Sequence, residues 1–161
     1  MDHIVRPSDV FDGSYPAPGS YLMLAAQRIA ALTDDKQLAA DVERALNGVS
    51  GAISRSPVGM LSAVLVHNNR YITRAEFAVV GAESGREGFL KVIYRRYLPY
   101  RVIASSDGAD NRVALLVQRD AMSGSESGAT AYVCENYVCQ LPAASVSEFT
   151  KQIDALSARL K

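Results

Sequence analysis

From Ser20 to Ile53 the apolar residues recur at three- and four-residue steps, the spacing of a helix with one apolar stripe. Ser20 reads as the N-cap of a first helix whose stripe is Leu22, Ala25, Ala26, Ile29 and Leu32, all expected to face a core. Thr33 reads as the cap of a second helix, with Asp34 and Asp35 where the positive end of a helix dipole favours them. Its apolar face is Leu38, Val42, Ala45, Leu46, Val49 and Ile53. The short break between the two leaves room only for a turn and predicts an antiparallel helical hairpin. Ser56-Pro57 is a cap followed by proline, which opens a third, shorter helix carrying Met60, Leu61, Val64 and Leu65. Upstream, Pro7, Gly13, Pro16, Pro18 and Gly19 exclude a regular element, so residues 1–19 read as an extended lead-in.

The pattern then changes. Glu76-Phe77-Ala78-Val79-Val80-Gly81 is a short apolar run closed by glycine, the form of a strand buried on both faces. Ser84-Gly85-Arg86-Glu87 has the form of a capping box, opening a helix with Phe89, Leu90, Ile93, Tyr94 and Tyr97 on one side and a stop at Leu98-Pro99. Tyr100 to Ala104 makes the next strand, and strand–helix–strand with short links predicts a βαβ unit with parallel strands. Val113 to Val117 fits a strand or a short helix. The Ser/Gly-rich segment from Ser123 to Gly128 is a loop. Ala129 to Pro142 reads as two strands around a turn at Glu135-Asn136 or Asn136-Tyr137. Ser145-Val146-Ser147-Glu148 is a second capping box, before a helix with Val146, Phe149, Ile153, Leu156 and Leu160 on its apolar face. The whole is an α+β fold: helical hairpin plus short helix, a small mixed sheet with one βαβ unit, a cysteine-bearing hairpin and a closing helix. After the lead-in, residues 20–161 read as one domain, helical over 20–70 and β-containing over 74–161.

Charge narrows the function classes. With 17 basic and 17 acidic residues among 161, the net charge is zero, which argues against a nucleic-acid footprint or attraction to anionic membranes. No apolar run reaches the roughly 20 residues of a membrane span, and Met1 to Pro7 lacks the parts of a signal peptide, so a soluble, cytoplasmic chain is expected. Two cysteines are too few for a secreted disulfide scaffold.

Candidate chemistry is sparse. If Asn136-Tyr137 is the loop, Cys134 falls opposite Cys139 in a non-hydrogen-bonded pair, with Cα atoms about 4.5 Å apart, close enough to bridge. A one-residue change of loop destroys that alignment. A redox-active, disulfide-bonded or metal-holding pair is the functional reading of Cys134 and Cys139; two half-buried thiols acting as small hydrophobes is the plainer one. No further ligands have metal-site spacing, since His3 and His67 lie far off, and neither metal nor cofactor is expected. Gly81 to Gly85 follows a strand and opens a helix, where a phosphate can sit, but matches no nucleotide fingerprint. Lys91, Arg95, Arg96 and Arg101, beside Tyr94, Tyr97 and Tyr100, read as a solvated basic face. Glu87 and Glu148 are accounted for by capping, and His67 by a helix end. No pair of carboxylates or histidines offers itself as general acid and base.

The order Asp12-Gly-Ser-Tyr-Pro16-Ala-Pro-Gly-Ser20, two amphipathic helices, a strand ending in Val79-Val80-Gly81, a helix ending in Leu98-Pro99, then Thr130-Ala131-Tyr132-Val133-Cys134 with Cys139 and Pro142 resembles the C-terminal end of the DUF255 proteins. These are the YyaL-like and spermatogenesis-associated protein 20-like proteins, and the similarity covers roughly residues 9 to 157. It implies a thioredoxin-like domain and an α/α toroid, resembling the N-acylglucosamine 2-epimerase and six-hairpin glycosidase folds, in longer relatives. This chain corresponds only to their last helices and β-containing tail. It has no Cys-x-x-Cys pair, so the thioredoxin-type chemistry has no residue here to carry it. The family's Pro-Ser-Gly-Asn-Ser-like segment is replaced by Pro16-Ala17-Pro18-Gly19-Ser20, leaving Asp12 as the one weak catalytic candidate, a residue that otherwise reads as a turn or cap acceptor. Two functions follow as expectations. One is a non-catalytic structural or interaction module whose missing helices come from a protein partner, from missing domains or from a homo-oligomer. The other is part of a carbohydrate-active or thiol-redox enzyme, contributing Asp12 or Cys134 and Cys139 to a site completed elsewhere.

Overall fold

A computed structural model describes residues 9–72, 74–108, 112–135 and 138–159. His3 and the N-terminal segment, the Asn136-Tyr137 turn and Leu160 lie outside the described residues. The chain divides into two compact units, Met1–Ala30 with Asp35–Tyr71, and Ala31–Asp34 with Ile72–Lys161.

The first unit is helical: α1 (Pro18–Thr33, whose last residues from Ala31 count with the second unit), α2 (Lys36–Arg55), a 3-10 turn (Val58–Met60) and α3 (Leu61–Asn68). Helix α1 starts two residues before the expected Ser20 cap, because Pro18 has its φ pre-set for a first helical position. Asp34 takes a left-handed φ of 57°, so the chain reverses one residue later than expected. Asp35, not Thr33, then caps α2, accepting the Leu38 N–H at 2.9 Å. Met23, Leu24 and Ala26 of α1 pack on Val42 and Leu46 of α2 and on Val66 of α3. The expected face of α1 is met at Ala26 and Leu32, which pack on core residues, but not at Leu22, Ala25 and Ile29. Leu22 and Ile29 are 71% and 52% exposed, and Ala25 is exposed with them. On α2 the expected stripe holds at its centre, with Val42 and Leu46 buried, but Ala45 is exposed.

The second unit is built on β1 (Ala75–Gly81), buried at all seven positions as its unbroken apolar run requires. Helix α4 (Glu83–Tyr94) leads to β2 (Arg101–Ser106), parallel to β1, which is the βαβ unit. β3 (Ala129–Glu135) pairs antiparallel on the other side of β1, β4 (Val138–Cys139) follows it, and the sheet order is β2-β1-β3-β4. Of the two readings of Val113 to Val117, the short helix holds: a 3-10 turn at Ala114–Leu116 buries Leu115 and Leu116.

Alternation along the strands divides the sheet into two faces. Phe77, Val79, Ala131 and Val133 meet Phe89 and Ile93 of α4 and Phe149, Ile153 and Leu156 of α5 (Val146–Arg159). The ring of Phe149 stands edge-on to Phe77 at 6.1 Å and to Phe89 at 5.4 Å, joining sheet and both helices. Ala78, Val102 and Ala104 turn the other way, against Leu115, Leu116 and Ala31.

The two expected capping boxes part company. At α5 the Ser145 hydroxyl accepts the Glu148 N–H at 3.2 Å, and Glu148 in turn accepts the N–H of Ala144, one residue before the cap, at 3.1 Å. At α4 there is no side-chain cap; the helix begins after Ala82, and Glu87 instead pairs with Lys91. The loop before β3 lies against that helix start: Ala82 donates to the Gly128 carbonyl at 3.0 Å, and Cβ atoms placed at Gly81 and Gly85 would come within 2.3 and 2.2 Å of the Gly128 and Ser127 carbonyl oxygens. Helix α4 also ends at Tyr94, short of Leu98-Pro99, leaving Tyr94 and Tyr97 exposed.

Candidate functional site

Strand β3 places Tyr132 and Cys134 two residues apart and so on one face of the sheet. β4 brings Cys139 directly opposite Cys134, and the two form a disulfide, with 2.03 Å between the sulfurs and 3.9 Å between the Cα atoms. The register is the one expected from a two-residue loop, whereas the reading as a pair of free, half-buried thiols does not hold. The bridge is asymmetric: Cys134 is fully buried in the sheet, and Cys139 is exposed on a two-residue edge strand.

The residue that gives this bridge chemical character is one that sequence reasoning missed. After the 3-10 turn Ala114–Leu116, Gln118 adopts a φ of 57°, an uncommon conformation for a side chain of its kind, and turns Arg119 back over the sheet. The backbone N–H of Arg119 donates to the Leu116 carbonyl at 3.2 Å, and its guanidinium donates to the Leu115 carbonyl. A second guanidinium nitrogen, Nη2, stands 2.9 Å from Cys139 Sγ and 3.6 Å from Cys134 Sγ. The guanidinium carbon lies 5.8 Å from the centre of the Tyr132 ring. Tyr132 is half-buried and donates its hydroxyl to the Asp120 carbonyl at 2.8 Å; burial, the dominant influence, holds its phenol above the ordinary value of 10.0. A cation held by one carbonyl and one ring, with one edge turned toward two sulfurs, favours negative charge on either sulfur.

Glu76 is the second residue missed in this way. It pairs across the sheet with Cys134, and its carboxylate is fully buried within a run that reads as apolar. Arg74 meets it through Nε at 3.0 Å and Nη2 at 2.7 Å, which offsets the desolvation of the charge. A carboxylate inside an otherwise apolar strand is the signal that could have found it, since such a group stays buried only with a partner.

The other sequence candidates have structural occupations. Asp12 lies in the helical unit, where one carboxylate oxygen accepts the Ala17 N–H at 2.8 Å and the other the Ser62 N–H at 2.7 Å. These bonds, led by that from Ala17, hold its carboxyl below the ordinary 3.8. Asp12 therefore ties the starts of α1 and α3 together, and it is the cap that α3 lacks locally. Among the basic residues, Lys91 pairs with Glu87, Arg96 bonds Asp154 of α5 at 2.7 Å, and Arg101 donates to the Arg96 and Leu98 carbonyls while lying 5.6 Å from the Tyr94 ring centre. At the Gly81 to Gly85 segment the Ser127–Ala129 backbone packs directly against both glycines. His67 contacts Arg70 and stands edge-on to Tyr71. Among the described residues no three His, Cys, Asp or Glu side chains gather into a metal site, and no helix is long and apolar enough to cross a membrane. Compared with protein-family models, curated proteins and solved structures, the chain matches none.

Proposed function

We propose that this chain is a non-catalytic structural or interaction module, resembling the C-terminal end of a DUF255-type protein, whose helical unit is completed by helices from another chain or from the rest of a longer one. The observation that carries the reading is the exposed stripe Tyr21, Leu22, Ala25 and Ile29 on α1. Its opposite side, with Met23, Leu24 and Ala26, is already engaged on α2 and α3. A helix that is apolar on both sides belongs between two packed layers, and among the described residues of this unit one layer is present. Val58, Leu61 and Leu65, also exposed, add apolar surface to the same unit.

The structural reading is supported by Asp12, which accepts a backbone N–H on each oxygen. The test is the mass of the native assembly, isolated from its own source without overexpression, with its chains identified and Leu22 and Ile29 probed by cross-linking. The expected result is a stoichiometric complex with cross-links from α1. A lone monomer overturns the reading.

A further inference from the structure

The unusual feature outside the helical unit is the sheet-edge bridge with a guanidinium beside it. We propose that Cys134–Cys139 is a thiol–disulfide exchange site for a dithiol reductant, entered at Cys139. Three observations carry this, and none depends on how the helical unit docks. The first is access. Cys134 Sγ is sealed in the sheet, whereas Cys139 is exposed on β4 between Val138 and Leu141, themselves exposed, so an incoming sulfur reaches only one of the two. The second is charge, with Arg119 Nη2 at 2.9 Å from Cys139 Sγ and 3.6 Å from Cys134 Sγ. A neighbouring guanidinium favours a thiolate, and a thiolate is what exchange releases. The third is that the fold does not depend on the bridge. Only five positions separate the two cysteines, so the loop it closes is among the least stabilising a disulfide can close. β3 is held independently by its seven-residue register with β1.

The exchange balances as follows. One thiolate of the dithiol attacks Cys139 Sγ, the Cys134–Cys139 bond breaks, and its electron pair leaves on Cys134 Sγ as a thiolate beside Arg119. The second thiolate of the reductant attacks its own sulfur in the mixed disulfide and expels Cys139 as a thiolate. The bridge gains two electrons and, after protonation, two protons; the dithiol becomes a disulfide. The reverse reaction makes the reduced pair a donor to an oxidised dithiol. Arg119 is the positioning and charge-stabilising residue in both directions.

The experiment uses the full chain, oxidised, in native buffer. Reduced glutathione, a monothiol with no second thiol of its own for the intramolecular step, is added, the mixture is quenched early in acid, and the modified peptide is mapped. The glutathione adduct is expected on Cys139. An adduct on Cys134, or a bridge that opens no faster than the chain unfolds globally, overturns the proposal. The reduced chain is then alkylated with iodoacetamide across a pH series. Cys139 is expected to react with an apparent pKa below the ordinary thiol value of about 8.5. Arg119→Gln should raise that pKa and slow alkylation at pH 7 by about tenfold, and Arg119→Lys should restore part of the rate. A pH profile identical in Arg119→Gln and wild type, with unchanged circular dichroism, also overturns it. Should Arg119→Gln fail to fold, the adduct position in the wild-type chain still decides.

Discussion

Asp12 shows what a single carboxylate does when a chain lacks local caps. It receives one N–H from Ala17 and one from Ser62, fifty positions away, so two helix starts share one acceptor. Asp12→Ala is expected to lower stability by about 1 kcal/mol in urea titration, the usual weight of a cap, kept modest because the group is half-exposed. Because its folded pKa lies below the unfolded value near 3.8, its contribution is full above that value and fades as pH falls through the folded pKa. Asp12→Asn should therefore flatten the acid limb of the stability–pH curve, and an unchanged limb would contradict the assignment. Glycines give a second residue-scale contrast. Gly85→Ala places a Cβ 2.2 Å from the Ser127 carbonyl and is expected to destabilise by about 1–3 kcal/mol. Gly48→Ala, in α2 with open space at its Cβ, is expected to stabilise by about 0.5–1 kcal/mol. Equal melting temperatures for the two would remove the close-approach argument.

Among the elements, β1 and α5 set the core of the second unit, and both are legible in the amino-acid sequence alone. The run Phe77-Ala78-Val79-Val80 has no other good use than a strand covered on both faces, and the Ser145–Glu148 box marks a helix start by chemistry alone. Phe149→Ala should cost about 3–5 kcal/mol in chemical denaturation, since it empties the junction of Phe77 and Phe89; a loss below about 1 kcal/mol would mean the junction is not packed as described. What is not legible has specific causes. Thr33 and Ser84 are good capping types, but Asp34 reverses the chain one residue later and the Ser127–Ala129 loop presses on the start of α4, so neither caps. The cysteine register is readable from loop length, whereas Arg119 is not, because its position depends on a left-handed Gln118 that no side-chain preference signals.

At the scale of the whole molecule, the instructive error concerns α1. Of the expected stripe Leu22, Ala25, Ala26, Ile29 and Leu32, only Ala26 and Leu32 pack inward, while Met23 and Leu24 pack where Leu22, Ala25 and Ile29 are expected to, and periodicity cannot choose between two apolar sides of one helix. The structure packs Met23 and Leu24, partly buried, on α2 and α3 and leaves Leu22, Ala25 and Ile29 exposed, and that surplus of apolar surface carries the proposed role. Sedimentation of the purified chain over a wide concentration range, beside a Leu22→Ser/Ile29→Ser variant, tests it most directly. The account predicts that the wild-type chain self-associates as concentration rises, for want of its proper partner, and that the variant stays monomeric with its helix content intact. A wild-type chain that remains monomeric throughout, indistinguishable from the variant, would contradict α1 as an association surface.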